Sequence, residues 1–191
     1  MRLFVGIPLS EEARRGIVKA VKKIRRGHWL VKWQEPEKWH VTLAFLGEVK
    51  KERVKEVVEA VSRGVEAVEA FEVRFKGWGG FPDWLLPRVI WLGLKGDLKS
   101  MARLQKRVRQ ELEEKGLEFD KKPFKGHMTL GRVKPEMKRK QRLELGKYLR
   151  KRRELEIPQK WWVDKVEVYE SRLKTEGAEY KVVASVKLSL P

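Results

Sequence analysis

Two short segments of this 191-residue chain repeat each other: His40-Val41-Thr42-Leu43 and His127-Met128-Thr129-Leu130. Histidine occurs three times in the chain, so two of the three stand in this repeated context. Both segments are apolar and rich in strand-forming residues. In a strand, residues i and i+2 point to one face. His40 and Thr42 therefore project together, as do His127 and Thr129, with Val41, Leu43, Met128 and Leu130 as anchors on the other side. Two such strands facing each other would set two imidazoles and two hydroxyls around one small anion. Splitting a phosphodiester needs a base for the incoming oxygen and an acid for the departing one. Histidine can be either near neutral pH. Threonine hydroxyls can donate to the non-bridging oxygens where charge develops.

The donor set is poor for metal. A catalytic zinc usually has three protein ligands, and no Asp or Glu stands at i+2 or i+4 of either histidine. Glu48 is the nearest acidic residue, so no metal and no cofactor is expected. Cysteine is absent, which removes disulfides, thiolate zinc sites and cysteine nucleophiles and suits a reducing interior. Residues 3–9 are too short for a signal sequence, and no stretch reaches the length of a membrane span. A soluble, cytoplasmic monomer is expected, without membrane association.

Charge supplies the second signal. Forty-five Lys and Arg against 27 Asp and Glu give a formal +18. The absence of Asn and abundance of Lys, Glu and Arg fit thermal adaptation. That adaptation enriches both signs, so the excess points instead to a polyanionic partner. Between Lys134 and Arg153 stand ten Lys or Arg against two Glu, a candidate track for such a polyanion. Lys121, Lys122 and Lys125 extend this field towards His127.

Strand-like runs lie at Arg2–Ile7, Val31–Trp33, His40–Phe45, Phe71–Phe75, Val89–Leu94 and Gly126–Val133, with two more near Trp162–Tyr169 and Tyr180–Leu188. Helical periodicity follows Ser10, runs from Val54 to Val68 and from Met101 to Leu112, and a basic helix spans roughly Lys138 to Arg152. Gly77 to Pro82 reads as a turn-rich loop, and Glu176-Gly177 as a turn. Trp78 and Phe81 in that loop either stack bases or plug a core edge. His28 falls at a helix terminus. Strand and helix alternate in both halves, and the tetrads lie nearly half the chain apart. Two related lobes within one compact domain, residues 1–191, are expected. Strict alternation turns Arg132 away from Thr129, unless Gly131 permits a bulge that re-aims it. By the same parity Phe45 packs in the core.

The run His40-Val41-Thr42-Leu43-Ala44-Phe45-Leu46-Gly47 and the run His127-Met128-Thr129-Leu130-Gly131-Arg132 resemble the two signature motifs of the 2H phosphoesterases. More narrowly, they resemble the RNA 2′,3′-cyclic phosphodiesterases, also called 2′-5′ RNA ligases. The Arg2–Leu9 opening, Pro87-Arg88-Val89-Ile90-Trp91, and the ending Val168-Tyr169-Glu170-Ser171-Arg172-Leu173 with Gly177 and Tyr180 extend the resemblance along the chain. It implies an α+β fold, a duplicated βαβαβ arrangement whose antiparallel sheets curve around a central cleft. It further implies metal-independent opening of an RNA 2′,3′-cyclic phosphate end to a 2′-phosphate, tRNA fragments being among the candidate RNAs. His40 would be the proton donor and His127 the acceptor, with Thr42, Thr129 and Arg132 holding the substrate. The residues alone do not order donor and acceptor, because the roles exchange when the reaction reverses. Two alternatives stand beside hydrolysis: ligation of tRNA halves by that reversal, and an RNA-binding protein that only holds such ends.

Overall fold

A computed structural model describes residues 1–25, 27–154, 156–175 and 177–191. Among the described residues nine strands form one antiparallel sheet, and the two histidine strands meet at its centre. β1 (Arg2–Pro8) lies between β3 (His40–Glu48) and β8 (Lys165–Lys174), and β9 (Gly177–Lys187) closes that side. On the other side β6 (His127–Val133), β5 (Val89–Gly96), β4 (Phe71–Phe81) and β7 (Glu156–Val163) follow in order. The two four-stranded halves join where Val41 of β3 pairs with Met128 of β6. Beyond this point β6 turns to a short strand, β2 (Val31–Trp33), which pairs with it from Val133 to Gly131. This is the α+β class with a curled antiparallel sheet that the resemblance implies.

Among the described residues four α-helices cover the sheet: α1 (Glu11–Arg25), α2 (Val54–Glu66), α3 (Leu98–Glu114) and α4 (Arg139–Arg150). Each helix has one apolar face that must be buried. Ala13, Ile17, Val21 and Ile24 of α1 and Val57, Ala60, Val61 and Val65 of α2 all enter the core. α1 and α4 pack against β7 and β4, and α2 and α3 against the half that contains β3, β8 and β9. α2 and α3 also touch each other, and Gly64 makes this possible: a Cβ there would stand 2.8 Å from the Val108 Cα. Among the described residues, no helix is long and apolar enough to cross a membrane.

Three expectations are corrected. The Gly77–Pro82 stretch is not a turn; β4 continues through it to Phe81, with a register shift between Phe75 and Trp78. Gly77 takes a left-handed φ of 77° at that shift, whereas Gly79 and Gly80 make room rather than bends: the Trp91 ring lies where a Gly79 Cβ would be, and Pro87 stands 2.6 Å from the corresponding position of Gly80. Trp162–Tyr169 is not one strand. The chain breaks at Asp164, leaving the β4 side as β7 and entering the β1 side as β8. The last strand begins at Gly177 rather than Tyr180; Glu176, half of the expected turn, lies outside the described residues. His28 follows α1, exposed and with a left-handed φ of 50°.

Each motif strand carries an extra residue at the same place. In β3, Thr42 pairs with Gly6 and Ala44 with Val5, so Leu43 is unpaired against β1. In β6, Thr129 pairs with Trp91 and Gly131 with Ile90, so Leu130 is the counterpart. Each bulge buries two successive residues, Leu43 with Ala44 and Leu130 with Gly131, and so reverses the alternation beyond it. The carbonyls that the bulges release find partners elsewhere. The Leu130 carbonyl accepts from the Gln34 N–H at 2.8 Å. The Leu43 carbonyl accepts from Arg109 Nε at 3.2 Å and Gln105 Nε2 at 3.4 Å, both on α3.

Arg109 does more than satisfy the bulge. Its Nη1 donates to the Lys122 carbonyl at 3.0 Å, and its guanidinium lies over Phe119, 5.4 Å from the ring centre. The Asp120 N–H donates to the Phe45 carbonyl at 2.9 Å. One side chain thus fastens the first motif strand to the segment that leads into the second. One hydrogen bond to a charged group contributes about 1.5–3 kcal/mol. Because the Lys122 bond is exposed to solvent and so adds little, losing both should cost about that much. Arg109→Met should lower stability by that amount in urea unfolding, whereas Lys106→Met, exposed on the same helix, should stay within about 0.5 kcal/mol of the parent. Equal, small effects of the two would contradict the fastening role.

Candidate active site

The register at the junction of the halves arranges the tetrads. With Val41 opposite Met128 in an antiparallel pair, His40 falls across from Thr129 and Thr42 across from His127. Imidazole and hydroxyl therefore alternate around a rectangle, with the histidines on its diagonal. All four line one cavity of about 710 Å³, together with Arg132. The β6 bulge gives the reason for the last: it brings Arg132 back to the face of Thr129, as the Gly131 alternative allowed. Gly131 fits there because β2 lies close, Val31 Cγ1 standing 2.8 Å from where a Cβ would be.

The same parity change corrects the reading of Phe45. It does not pack in the core but lines the cavity, with the Arg2 guanidinium 5.1 Å from its ring centre. Phe45 and Arg132 are thus equivalent positions, five residues after each histidine. Trp78 is core, 2% exposed. Phe81 stands edge-on to His127 at 4.9 Å between ring centres.

Each histidine is held by the same device. Nδ1 of His40 lies 2.7 Å from the Lys38 carbonyl, and Nδ1 of His127 lies 2.6 Å from the Lys125 carbonyl. A carbonyl can only accept, so both Nδ1 atoms carry hydrogen and donate. In the neutral ring this leaves Nε2 as a free lone pair, the state a base needs.

The surroundings then set the charge. His40 packs against Phe4 at 4.7 Å, Tyr180 at 5.4 Å and Tyr169 at 5.8 Å between ring centres. Burial pushes its pKa down from 6.5 to about 4; the Lys38 carbonyl opposes this, and a charge on His127 adds to it. His127 packs against Phe81 and, at 6.0 Å, Trp91. Its pKa is also lowered, first by burial and further by the Lys125 ammonium, against the pull of the Lys125 carbonyl. Both shifts favour the neutral imidazole at pH 7 while the cavity holds no anion.

Sequence patterning missed part of the wall. Arg2, Lys32 and Lys38 add three cations to Arg132, with Glu35 the one acidic residue among the lining side chains. Among the described residues none of the four cations is in an ion pair. Lys32 and Arg132 are cross-strand partners. Tyr180 and Ser171 reach the cavity from β9 and β8. The usable signal was the ending of the chain, which carried a resemblance but no chemistry of its own. Lys121 and Lys122 are paired with Glu113 and Asp120, at 2.8 and 2.9 Å. Lys125 remains beside the site, its Nζ 5.7 Å from the Phe81 ring centre. No residue between Lys134 and Arg153 lines the cavity. Among the described residues, no group of three or more His, Asp or Glu is placed to hold a metal ion.

Residues 12–175 match the model of the 2′-5′ RNA ligase superfamily. A Thermotoga maritima protein named RNA 2′,3′-cyclic phosphodiesterase is 32% identical over 184 residues, covering 96% of this chain and 93% of its own. An Archaeoglobus fulgidus protein of the same name is 40% identical over 134 residues, covering 70% and 73%. A crystal structure from Thermus thermophilus superposes with a TM-score of 0.82 at 28% identity, covering 100% of this chain and 99% of that one. Apo Escherichia coli LigT, at 23% identity and a TM-score of 0.72 over 98% and 97%, shares the fold. A site made from two copies of one motif and a family match along most of the length lead to the same place: the chain belongs to the 2′-5′ RNA ligase superfamily.

Proposed function

We propose that this protein hydrolyses RNA 2′,3′-cyclic phosphate ends to 2′-phosphomonoesters by acid–base catalysis between His40 and His127, without a metal. The observation that carries the reading is the pair of imidazoles with Nδ1 tied to carbonyls and Nε2 free, in one cationic cavity of a family with relatives named for this activity. Water attacks phosphorus and gives its proton to His127 Nε2. The P–O3′ bond breaks, and His40 Nε2–H protonates the departing 3′-oxygen. The phosphate stays on O2′. Thr42, Thr129 and Arg132 bind the non-bridging oxygens and stabilise the charge that builds there.

The environments support this order of roles. An anion in a desolvated pocket raises the pKa of a nearby imidazole. His40 is enclosed by three aromatic rings and burial holds its pKa down to about 4, so this order requires the bound phosphodiester to raise that pKa far enough for His40 to take the proton. His127 has the Lys125 cation beside it and stays neutral, ready to activate water. Attack by an RNA 5′-hydroxyl in place of water, with the same acceptor and donor, would make a 2′-5′ linkage at the same atoms. The pairing of two four-stranded halves through their motif strands supports reading the chain as one domain of two related lobes.

The first test is chemical. RNA ending in a 2′,3′-cyclic phosphate should be opened in EDTA, and phosphorus NMR should show a 2′-monoester. His40→Ala and His127→Ala should each lower turnover by about 10²–10⁴-fold, and Thr42→Val or Thr129→Val should cost about 1.5–3 kcal/mol of transition-state binding. A 3′-phosphate product would reverse the placement of the ribose between the histidines. Near-normal turnover in a folded His variant would refute the mechanism.

The second test is pH. Reaction needs one protonated and one neutral imidazole, and kcat/KM reports the free enzyme. Both pKa values are lowered there, so the singly protonated form gives way to the neutral pair below pH 6.5. kcat/KM should peak on the acid side of 6.5 and fall about tenfold per pH unit above its optimum. In the complex the anion raises the acid's pKa, so the kcat profile should extend to higher pH. Superimposable profiles would contradict the charge assignment.

A further inference from the structure

The cavity does not account for the most basic segment of the chain. Among the described residues, the cations between Lys134 and Arg153 form one ion pair, Arg153 with Glu154 at 3.8 Å. Elsewhere many lysines are closely neutralised, as in Lys115 with Glu59 at 2.9 Å. Charge left unpaired on one helix and its C-terminal turn favours a polyanion, which releases counterions on binding.

A groove of about 490 Å³ lies beside this charge. One wall is the Asp83–Leu85 turn and the other is the Leu143, Lys147 and Arg150 face of α4. Gly146 lets the turn seat directly on the helix, since the Trp84 carbonyl occupies the place of a side chain there. The Asp83 carboxylate is directed into its own turn, accepting from the Leu85 and Leu86 N–H groups at 2.7 and 2.9 Å. Lys147 and Arg150 are exposed, and Leu85 presents 64% of its surface. Trp84 is half-buried and packs in part against the core. A groove that combines such a ring with an exposed apolar side chain and cations without ion-pair partners among the described residues has the elements that hold single-stranded nucleic acid, by stacking on the bases and attraction to the phosphates.

Aromatic rings connect this groove to the catalytic centre. Trp84 lies 6.5 Å from Trp91, and Trp91 lies 6.0 Å from His127. Trp91 is the cross-strand partner of Thr129 and so shares its face of the sheet. We propose that the groove between the Asp83–Leu85 turn and α4 is a second nucleotide subsite, taking the single-stranded RNA next to the cyclic-phosphate end. Trp84 stacks a base, and Lys147 and Arg150 hold phosphates. The inference rests on the reading that the cavity takes RNA ends, and it assigns the path by which the rest of the strand leaves.

The test uses a fluorescein-labelled single-stranded RNA of about twelve nucleotides, within ordinary single-strand site sizes. Fluorescence anisotropy across a potassium chloride series reads binding without turnover. Lys147→Glu with Arg150→Glu should flatten the slope of log K against log salt by roughly 0.7 for each phosphate that is no longer held. Trp84→Ala should weaken binding about tenfold, and Trp84→Phe should retain most of it. Hydrolysis of cytidine 2′,3′-cyclic phosphate by the double variant should match the parent, because a mononucleotide does not reach the groove. Unchanged affinity and slope would overturn the subsite. So would a parallel loss of mononucleotide hydrolysis, or equal competition by poly-glutamate, which would make the face a general acidic-partner surface. If the parent opens no cyclic phosphate at all, the proposed activity falls, and the anisotropy series still decides the groove.

Discussion

The whole site depends on one register, Val41 opposite Met128, where the two halves of the sheet meet. A slip of one residue in either strand would turn its histidine and threonine into the core and its apolar residues out. The buried anchors oppose this: Val41, Leu43, Met128 and Leu130 are all fully buried. The same hydrophobic residues that make the strands part of the core therefore fix which way the catalytic candidates face. Because that junction is a single pair, β6 is free to turn towards β2 beyond it, and the face of the sheet opens as a cavity.

The bulges extend this control. Regular alternation would have left the two motif strands contributing four side chains to the site, with the fifth residue after each histidine turned away from it. One extra residue in each strand, at the leucine of each tetrad, adds Phe45 and Arg132 to the same face. The cost of a bulge is an unpaired carbonyl, and the fold answers it differently in the two halves. Gln34 does so with a backbone N–H, whereas α3 supplies Arg109 and Gln105. The two halves also differ in what they present: an aromatic ring under an arginine in one, a guanidinium in the other.

These differences mark what the sequence could and could not disclose. The tetrads were legible because strand alternation and the rarity of histidine are local properties, and the helices because their apolar faces are periodic. Phe45 reads as core because a bulge breaks parity without a residue type that announces it. The small residue after each leucine, Ala44 and Gly131, is the available hint, and a glycine gives it more plainly than an alanine. The glycines of Gly77–Gly80 look like turn formers, yet two of them admit the Trp91 and Pro87 side chains. Arg2, Lys32, Lys38 and Tyr180 come from separate strands and the turn before β3, so no spacing rule joins them. Charge was legible as a total, while its division between cavity and α4 depended on ion pairs formed across the fold.

Both imidazoles donate through Nδ1 to a carbonyl two residues earlier and keep Nε2 free for the substrate, and the proposed chemistry stands on that. Nitrogen-15 NMR of histidine-labelled protein near pH 7 reads it directly, because protonated and lone-pair ring nitrogens differ widely in shift. His40 and His127 should both show a protonated Nδ1 and an unprotonated Nε2 without substrate, with inorganic phosphate moving one ring towards the doubly protonated form. Hydrogen on Nε2 and a lone pair on Nδ1 in either ring would contradict this, since that Nε2 could then take no proton from water and that Nδ1 would carry no bond to hold the ring.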